Sequence, residues 1–115
     1  MRWSMPMTLP DEAMTITVLR NGETTQVILS GELDMHSADQ LSTALAGVLD
    51  PAPREIGVDA GDLSFTDSAG LRALLLAHDE AKAKGVVLRV TRVSHHLDRL
   101  LDMTGLREVL GVPVT

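Results

Sequence analysis

The chain has 115 residues, a formal net charge of −6 and no cysteine, so it reads as one domain with a modest core and no disulfide, thiolate metal site or cysteine nucleophile. Sixteen acidic residues against ten basic ones exclude a general nucleic-acid binder, whose affinity comes from neutralising phosphates, and argue equally against an anionic membrane surface. Aromatic residues are only 2%, Trp3 and Phe65, so the core must be Leu, Val, Ile, Ala and Met, with few rings to stack on bases or sugars.

The opening "MRWSMPMTLP" is interrupted by Pro6 and Pro10 and reads as a flexible lead-in over residues 1–12, ahead of a single domain over residues 13–115. It does not have the form of a signal peptide, and no run approaches transmembrane length, so a cytoplasmic protein is expected. "MTITVLR" alternates Met14, Ile16 and Val18 against Thr15, Thr17 and Arg20, the period of a half-buried strand. Asn21-Gly22 suits the positive φ angles of a tight hairpin, and "TQVILSG" is the returning strand, ending at Gly31. In the next stretch Ser37 stands three residues before Gln40, the form of a capping box, and Leu41, Ala44, Leu45 and Val48 keep helical spacing until Pro51 and Pro53.

"REIGVDA" predicts a short apolar strand and "GDLSFTD" the loop after it. A second helix begins near Ser68, with Leu71, Leu74, Leu75 and His78 on one face, a Glu80–Lys84 pair near its end and Gly85 as its stop. "VVLRVTRV" is a further apolar strand, and Ser94 can cap a last helix through Leu97, Leu100 and Leu101 that stops at Gly105. The tail "LREVLGVPV" reads equally as a short edge strand or a terminal turn.

The order is β-β-α-β-α-β-α: an α/β fold in which a mixed sheet opens with a hairpin and carries helices packed on it. Right-handed crossovers gather the loops at the strand C-termini on one edge, where open α/β sheets place their sites. The "GELD" turn, the "GDLSFTD" turn and the start of the second helix are therefore expected together, with Asp34, Asp62 and Asp67 around Ser68. A phosphate on Ser68 would be favoured by the helix N-terminus and opposed by those carboxylates. A helix cap at Asp67 or Ser68 accounts for the same residues, contributes ~1 kcal/mol, and is the commoner arrangement.

"LSGELD" (Leu29 to Asp34), "DLSFTDSAGL" (Asp62 to Leu71) and "LDMTGL" (Leu101 to Leu106), in this order and at these intervals, resemble three segments of the STAS family, specifically the bacterial anti-sigma factor antagonists. The resemblance covers about Met14 to Leu110 and implies a mixed sheet flanked by helices. It implies a switch: the unphosphorylated antagonist binds an anti-sigma factor that is also a serine kinase, which frees a sigma factor. Phosphorylation of the serine after the motif aspartate, here Ser68 after Asp67, then abolishes binding. ATP and Mg²⁺ belong to that partner kinase, no cofactor is implied for this chain, and a PP2C-type phosphatase resets the switch. Carried over, Ser68 is the phosphoacceptor, Asp34 lies beside it, Asp67 positions the hydroxyl or orients the loop, and Ala69, Gly70 and Leu71 complete the partner-binding turn.

Two departures matter. Many members carry a second Ser where Ala69 stands here, which leaves Ser68 as the only hydroxyl inside the motif; Thr66 replaces a larger apolar residue, and with Ser64 is a secondary candidate acceptor. His36, His78, His95 and His96 lack metal-ligand spacing, the adjacent pair His95-His96 pointing to different sides of a helix. Met35 and Met103 read as packing, and Arg89 and Arg92 as edge charges. A non-switching STAS scaffold or transporter-associated subunit is the alternative function. A nucleotide hydrolase using Asp34 and Asp67 comes last, because no phosphate-cradling loop is present. A monomer is expected for the free form.

Overall fold

In the computed structural model, residues 3–7 and 14–112 are described, the first five by their backbone. The strands are β1 (Trp3–Met7), β2 (Met14–Asn21), β3 (Thr24–Leu33), β4 (Glu55–Thr66) and β5 (Val87–Val93); the helices are α1 (Ala38–Val48), α2 (Ser68–Ala83) and α3 (His95–Thr104). The strands form one five-stranded sheet in the order β1-β2-β3-β4-β5. The first two pairings are antiparallel and the last two parallel, so the sheet is mixed as the element order requires.

Alternation decides which face is covered. Met14, Ile16 and Val18 of β2, Val27 and Leu29 of β3, Ile56 and Val58 of β4, and Leu88 and Val90 of β5 are buried on one face. Gln26, Arg89 and Thr91 stand exposed on the other. The helices add Leu41, Leu74, Leu97 and Leu101, all fully buried, to this wholly aliphatic core. Each such side chain contributes about 1.5–3 kcal/mol of burial. No aromatic ring of residues 14–112 is needed inside, and Phe65 lies 41% exposed.

Several local expectations change. Residues 3–7, read as part of a flexible lead-in, instead pair as an edge strand with β2, Trp3 opposite Arg20 and Met7 opposite Ile16. Pro6 is tolerated there because an edge strand has a side with no ladder to donate to. The hairpin loop is Gly22-Glu23, between Asn21 and Thr24, and only Gly22 takes positive φ (65°). The stretch from Gly61 to Thr66, read as loop, continues β4. Its alternation is broken by two bulges: Ile28 faces Asp59 but Ser30 faces Asp62, and Gly31 faces Leu63 but Glu32 faces Phe65, so β4 gains a residue at each step.

The helix ends also separate expectation from structure. Ser37 sits at the N-cap of α1 without a side-chain cap bond, and Gln40 Nε2 donates to the Met14 carbonyl, so no capping box forms. Ser94 Oγ does accept from Leu97 N–H at α3, and Gly85 and Gly105 close α2 and α3 with φ of 73° and 72°. Among the described residues no ion pair joins Glu80 and Lys84. The tail forms a turn, with Leu110 and Val112 buried and the Leu110 carbonyl accepting from Val90 N–H of β5 at 3.0 Å. Arg107 anchors this turn through Asp98 and Asp102 of α3. Residues 113–115, the end of the predicted tail, lie outside the described residues.

Candidate functional site

The start of α2 is organised by one carboxylate. Asp67 is the N-cap, with extended backbone, and its Oδ1 accepts from Gly70 N–H at 2.9 Å. Its other oxygen, Oδ2, accepts from Met35 N–H at 3.1 Å, and its own N–H donates to the Leu33 carbonyl at 3.3 Å. The turn after β3 and the start of α2 are thus joined, as the crossover topology predicts. The cap settles which residue starts the helix: Asp67 does, and Ser68 is the first helical residue. Ser68 is exposed, and its hydroxyl makes no hydrogen bond among the described residues.

The neighbouring hydroxyls are placed differently. Ser64 Oγ donates to the Gly31 carbonyl at 3.1 Å. Thr66 is 2% exposed and its Oγ1 is buried without a partner. An enzyme that modifies a serine or threonine needs a hydroxyl it can surround, and in this turn Ser68 presents one.

Gly70 explains how the helix comes so close. A Cβ at this position would lie 2.3 Å from the Leu33 carbonyl oxygen and 2.8 Å from Leu33 Cγ, well inside contact distance. Ala69 is half-buried beside it and Leu71 is buried in the core, so of the motif Ser68 is the fully open position.

Asp34 shapes the facing turn. Its Oδ1 accepts from His36 N–H at 2.9 Å and from Ser37 N–H at 3.2 Å, while its N–H donates to Ser37 Oγ at 2.9 Å. Partial desolvation pushes the Asp34 carboxyl up, but these backbone and hydroxyl hydrogen bonds, with the nearby His36, outweigh it and hold it below the ordinary aspartate value. Asp67 thus has both carboxylate oxygens committed to backbone N–H groups, and Asp34 commits its Oδ1 in the same way. Asp62 is not part of this cluster. It pairs with Ser30 within the sheet, four strand residues before Thr66, which sets it about 13 Å back along β4.

A family model described as "Mlab, STAS domain" matches residues 16–111. The chain belongs to the STAS-domain family. Among curated STAS relatives, the anti-sigma-B factor antagonist of Bacillus subtilis is 28% identical over 99 residues, covering 86% of this chain and 90% of that protein. The anti-sigma F factor antagonist of Paenibacillus polymyxa is 33% identical over 87 residues, covering 75% and 74%. Of solved STAS structures, an anti-sigma factor antagonist from Mycobacterium paratuberculosis superposes with a TM-score of 0.78 at 25% identity, over 95% of this chain and 92% of that one.

The remaining singled-out residues of this STAS chain fall into place by burial. Met35 and Met103, expected in packing, are 69% and 80% exposed. Arg92 binds Asp59 at 3.1 Å, and Arg89 lies 3.8 Å from Glu55. His78 is partly buried on α2, as its place on the Leu face predicts. Among the described residues no three His, Asp or Glu side chains gather as a metal would require, and no helix is long and apolar enough to cross a membrane. Sequence reasoning missed a groove of about 440 Å³ lined by Thr66, His95, His96, Arg99, Leu100 and Met103. His95 and His96, assigned to different sides of the helix, both line it. Helical neighbours diverge by about 100°, which a groove of this width spans. The signal that could have found it was two histidines and an arginine within five residues of an acidic chain.

Proposed function

We propose that this protein is an anti-sigma factor antagonist whose unphosphorylated form binds an anti-sigma factor with serine-kinase activity, and that phosphorylation of Ser68 abolishes that binding. The observation that carries the reading is the division of labour at the start of α2. Asp67 caps the helix, so Ser68 has no structural duty for its hydroxyl and yet stands exposed on a turn held by three hydrogen bonds. A residue needed only as a cap would be using its oxygen. The antagonist relatives, covering three-quarters or more of the chain, support the general role.

The chemistry of the switch is electrostatic. A phosphate brings roughly −1.5 to −2 charges to an edge that already holds Asp34 and Asp67. On the docking face it adds repulsion and a desolvation cost, and a tenfold loss of occupancy needs only ~1.4 kcal/mol. ATP and Mg²⁺ are the kinase's, and a PP2C-type phosphatase would restore the serine.

The test uses Ser68→Ala and Ser68→Asp with the purified kinase-type anti-sigma factor. Ser68→Ala should bind and stay bound when ATP and Mg²⁺ are added, while the wild type is phosphorylated and released. Ser68→Asp should bind at least about tenfold more weakly. An acidic residue in the first turn of a helix is favoured by the dipole, so Ser68→Asp should keep its circular dichroism and melting point. Equal binding by both variants would remove the switch and leave the non-switching scaffold.

A further inference from the structure

Building on that reading of Ser68, we infer that the groove between the end of β4 and α3 is a second docking point for the same partner, taking an acidic segment that also carries an apolar side chain.

The groove begins at Thr66, two residues from Ser68, so a protein covering the exposed serine is already at its mouth. Its polar lining is Thr66, His95, His96 and Arg99, with no carboxylate among the lining residues. The acids that α3 itself supplies are occupied elsewhere, Asp98 and Asp102 both bonding Arg107 of the tail. Arg99 and His95 make no ion pair among the described residues. In a chain of net charge −6, counted with histidine neutral, Arg99 is a cation in the groove with no acid among the lining residues to answer it.

The rest of the lining matches the apolar half of the ligand: Met103 is 80% exposed and Leu100 is half-buried. Outside the lining, Phe65 packs its ring 5.1 Å from that of His96. An exposed Met is a pliable apolar surface suited to a partner side chain. His96 Nε2 donates to the Thr66 carbonyl at 3.0 Å, which holds the ring across the groove.

The experiment measures dissociation constants for the purified kinase-type anti-sigma factor, in the Ser68→Ala background so that phosphorylation plays no part. Arg99→Glu and Met103→Asp should each weaken binding by about tenfold or more. Arg54→Glu, the same charge reversal at the opposite end of β4, should stay within about twofold. Arg99 and Met103 are exposed, so unchanged melting points will show that the fold is intact. Binding by both groove variants within twofold of the parent would overturn the inference, and if Ser68→Asp still released the partner, the switch would stand without the groove. Loss of binding in the groove variants with Ser68→Asp bound normally would support the groove and remove the switch.

Discussion

The close approach at Gly70 makes a quantitative prediction, because one substitution, Gly to Ala, should have opposite signs at two positions of this chain. At Gly70 the new Cβ would stand 2.3 Å from the Leu33 carbonyl oxygen, and ordinary contact begins at 3.4 Å, so the start of α2 must move by about 1.1 Å. That movement takes the Asp67 N–H···Leu33 carbonyl bond, already 3.3 Å long, out of range. Overpacking costs about 1–3 kcal/mol and the lost hydrogen bond about 0.5–1.5 kcal/mol, while the better helix propensity of Ala returns up to about 1 kcal/mol. With that kilocalorie returned in full, the net destabilisation is about 0.5–3.5 kcal/mol. At this chain length a kilocalorie corresponds to about 4 °C, so Gly70→Ala should melt about 2–14 °C below wild type. Gly47 is exposed within α1 and a Cβ there meets nothing within 4 Å. Gly47→Ala should therefore raise the melting point by about 2–4 °C. Differential scanning calorimetry of the three proteins decides it. A Gly70→Ala protein that melts with Gly47→Ala, at or above wild type, would falsify the claim that this glycine is required by contact.

Asp67→Asn retains an acceptor for Gly70 N–H but turns a donor toward Met35 N–H, whereas Asp67→Ala removes both bonds; hydrogen exchange should quicken at the Met35 amide in both, and helix-start protection at Gly70 should fall only in Asp67→Ala, which loses ~1 kcal/mol of capping. The lowered pKa of Asp34 makes its contribution to stability present above the ordinary value of 3.8 and lost as pH falls through the lower folded-state value. Wild type should therefore exceed Asp34→Ala in urea midpoint at pH 6, with the gap closing below pH 3.8; a constant gap would deny the carboxylate its role. Arg107→Ala should release the tail turn, exposing Leu110 and speeding exchange at Val90 N–H, whose acceptor is the Leu110 carbonyl.

Where side-chain period and local chemistry act alone, the sequence was sufficient to read the fold. The alternation in β2, the Leu spacing of α2, Ser94 before α3 and the glycines after α2 and α3 all mean in the structure what they mean in the chain. The loop edge was legible in outline too, because crossover topology brings Asp34 and Asp67 to one side. What escaped depended on partners distant in sequence. The end of β4 looked like a loop because bulges break its period at Gly61 and Ser64, and only pairing with β3 keeps it a strand. Ser37 and Gln40 matched a capping box, yet Ser37 Oγ donates to the Glu32 carbonyl at 2.8 Å, a bond no local motif announces. Thr66 beside Ser68 gives no hint in sequence that one hydroxyl is buried and the other open; the strand's last inward turn and the helix's first outward one decide that.

The two borders of the sheet limit how other chains can meet this one. On one side β1 carries Pro6, whose nitrogen has no hydrogen to offer a further strand. On the other, the tail already answers β5 at Val90. A chain arriving as an extra strand would find one border short of a donor and would have to evict Leu110 from the other. Recognition is thereby steered away from backbone pairing, which tolerates many sequences, and toward side-chain contacts at the loop edge, where a single covalent change can decide whether two proteins stay together.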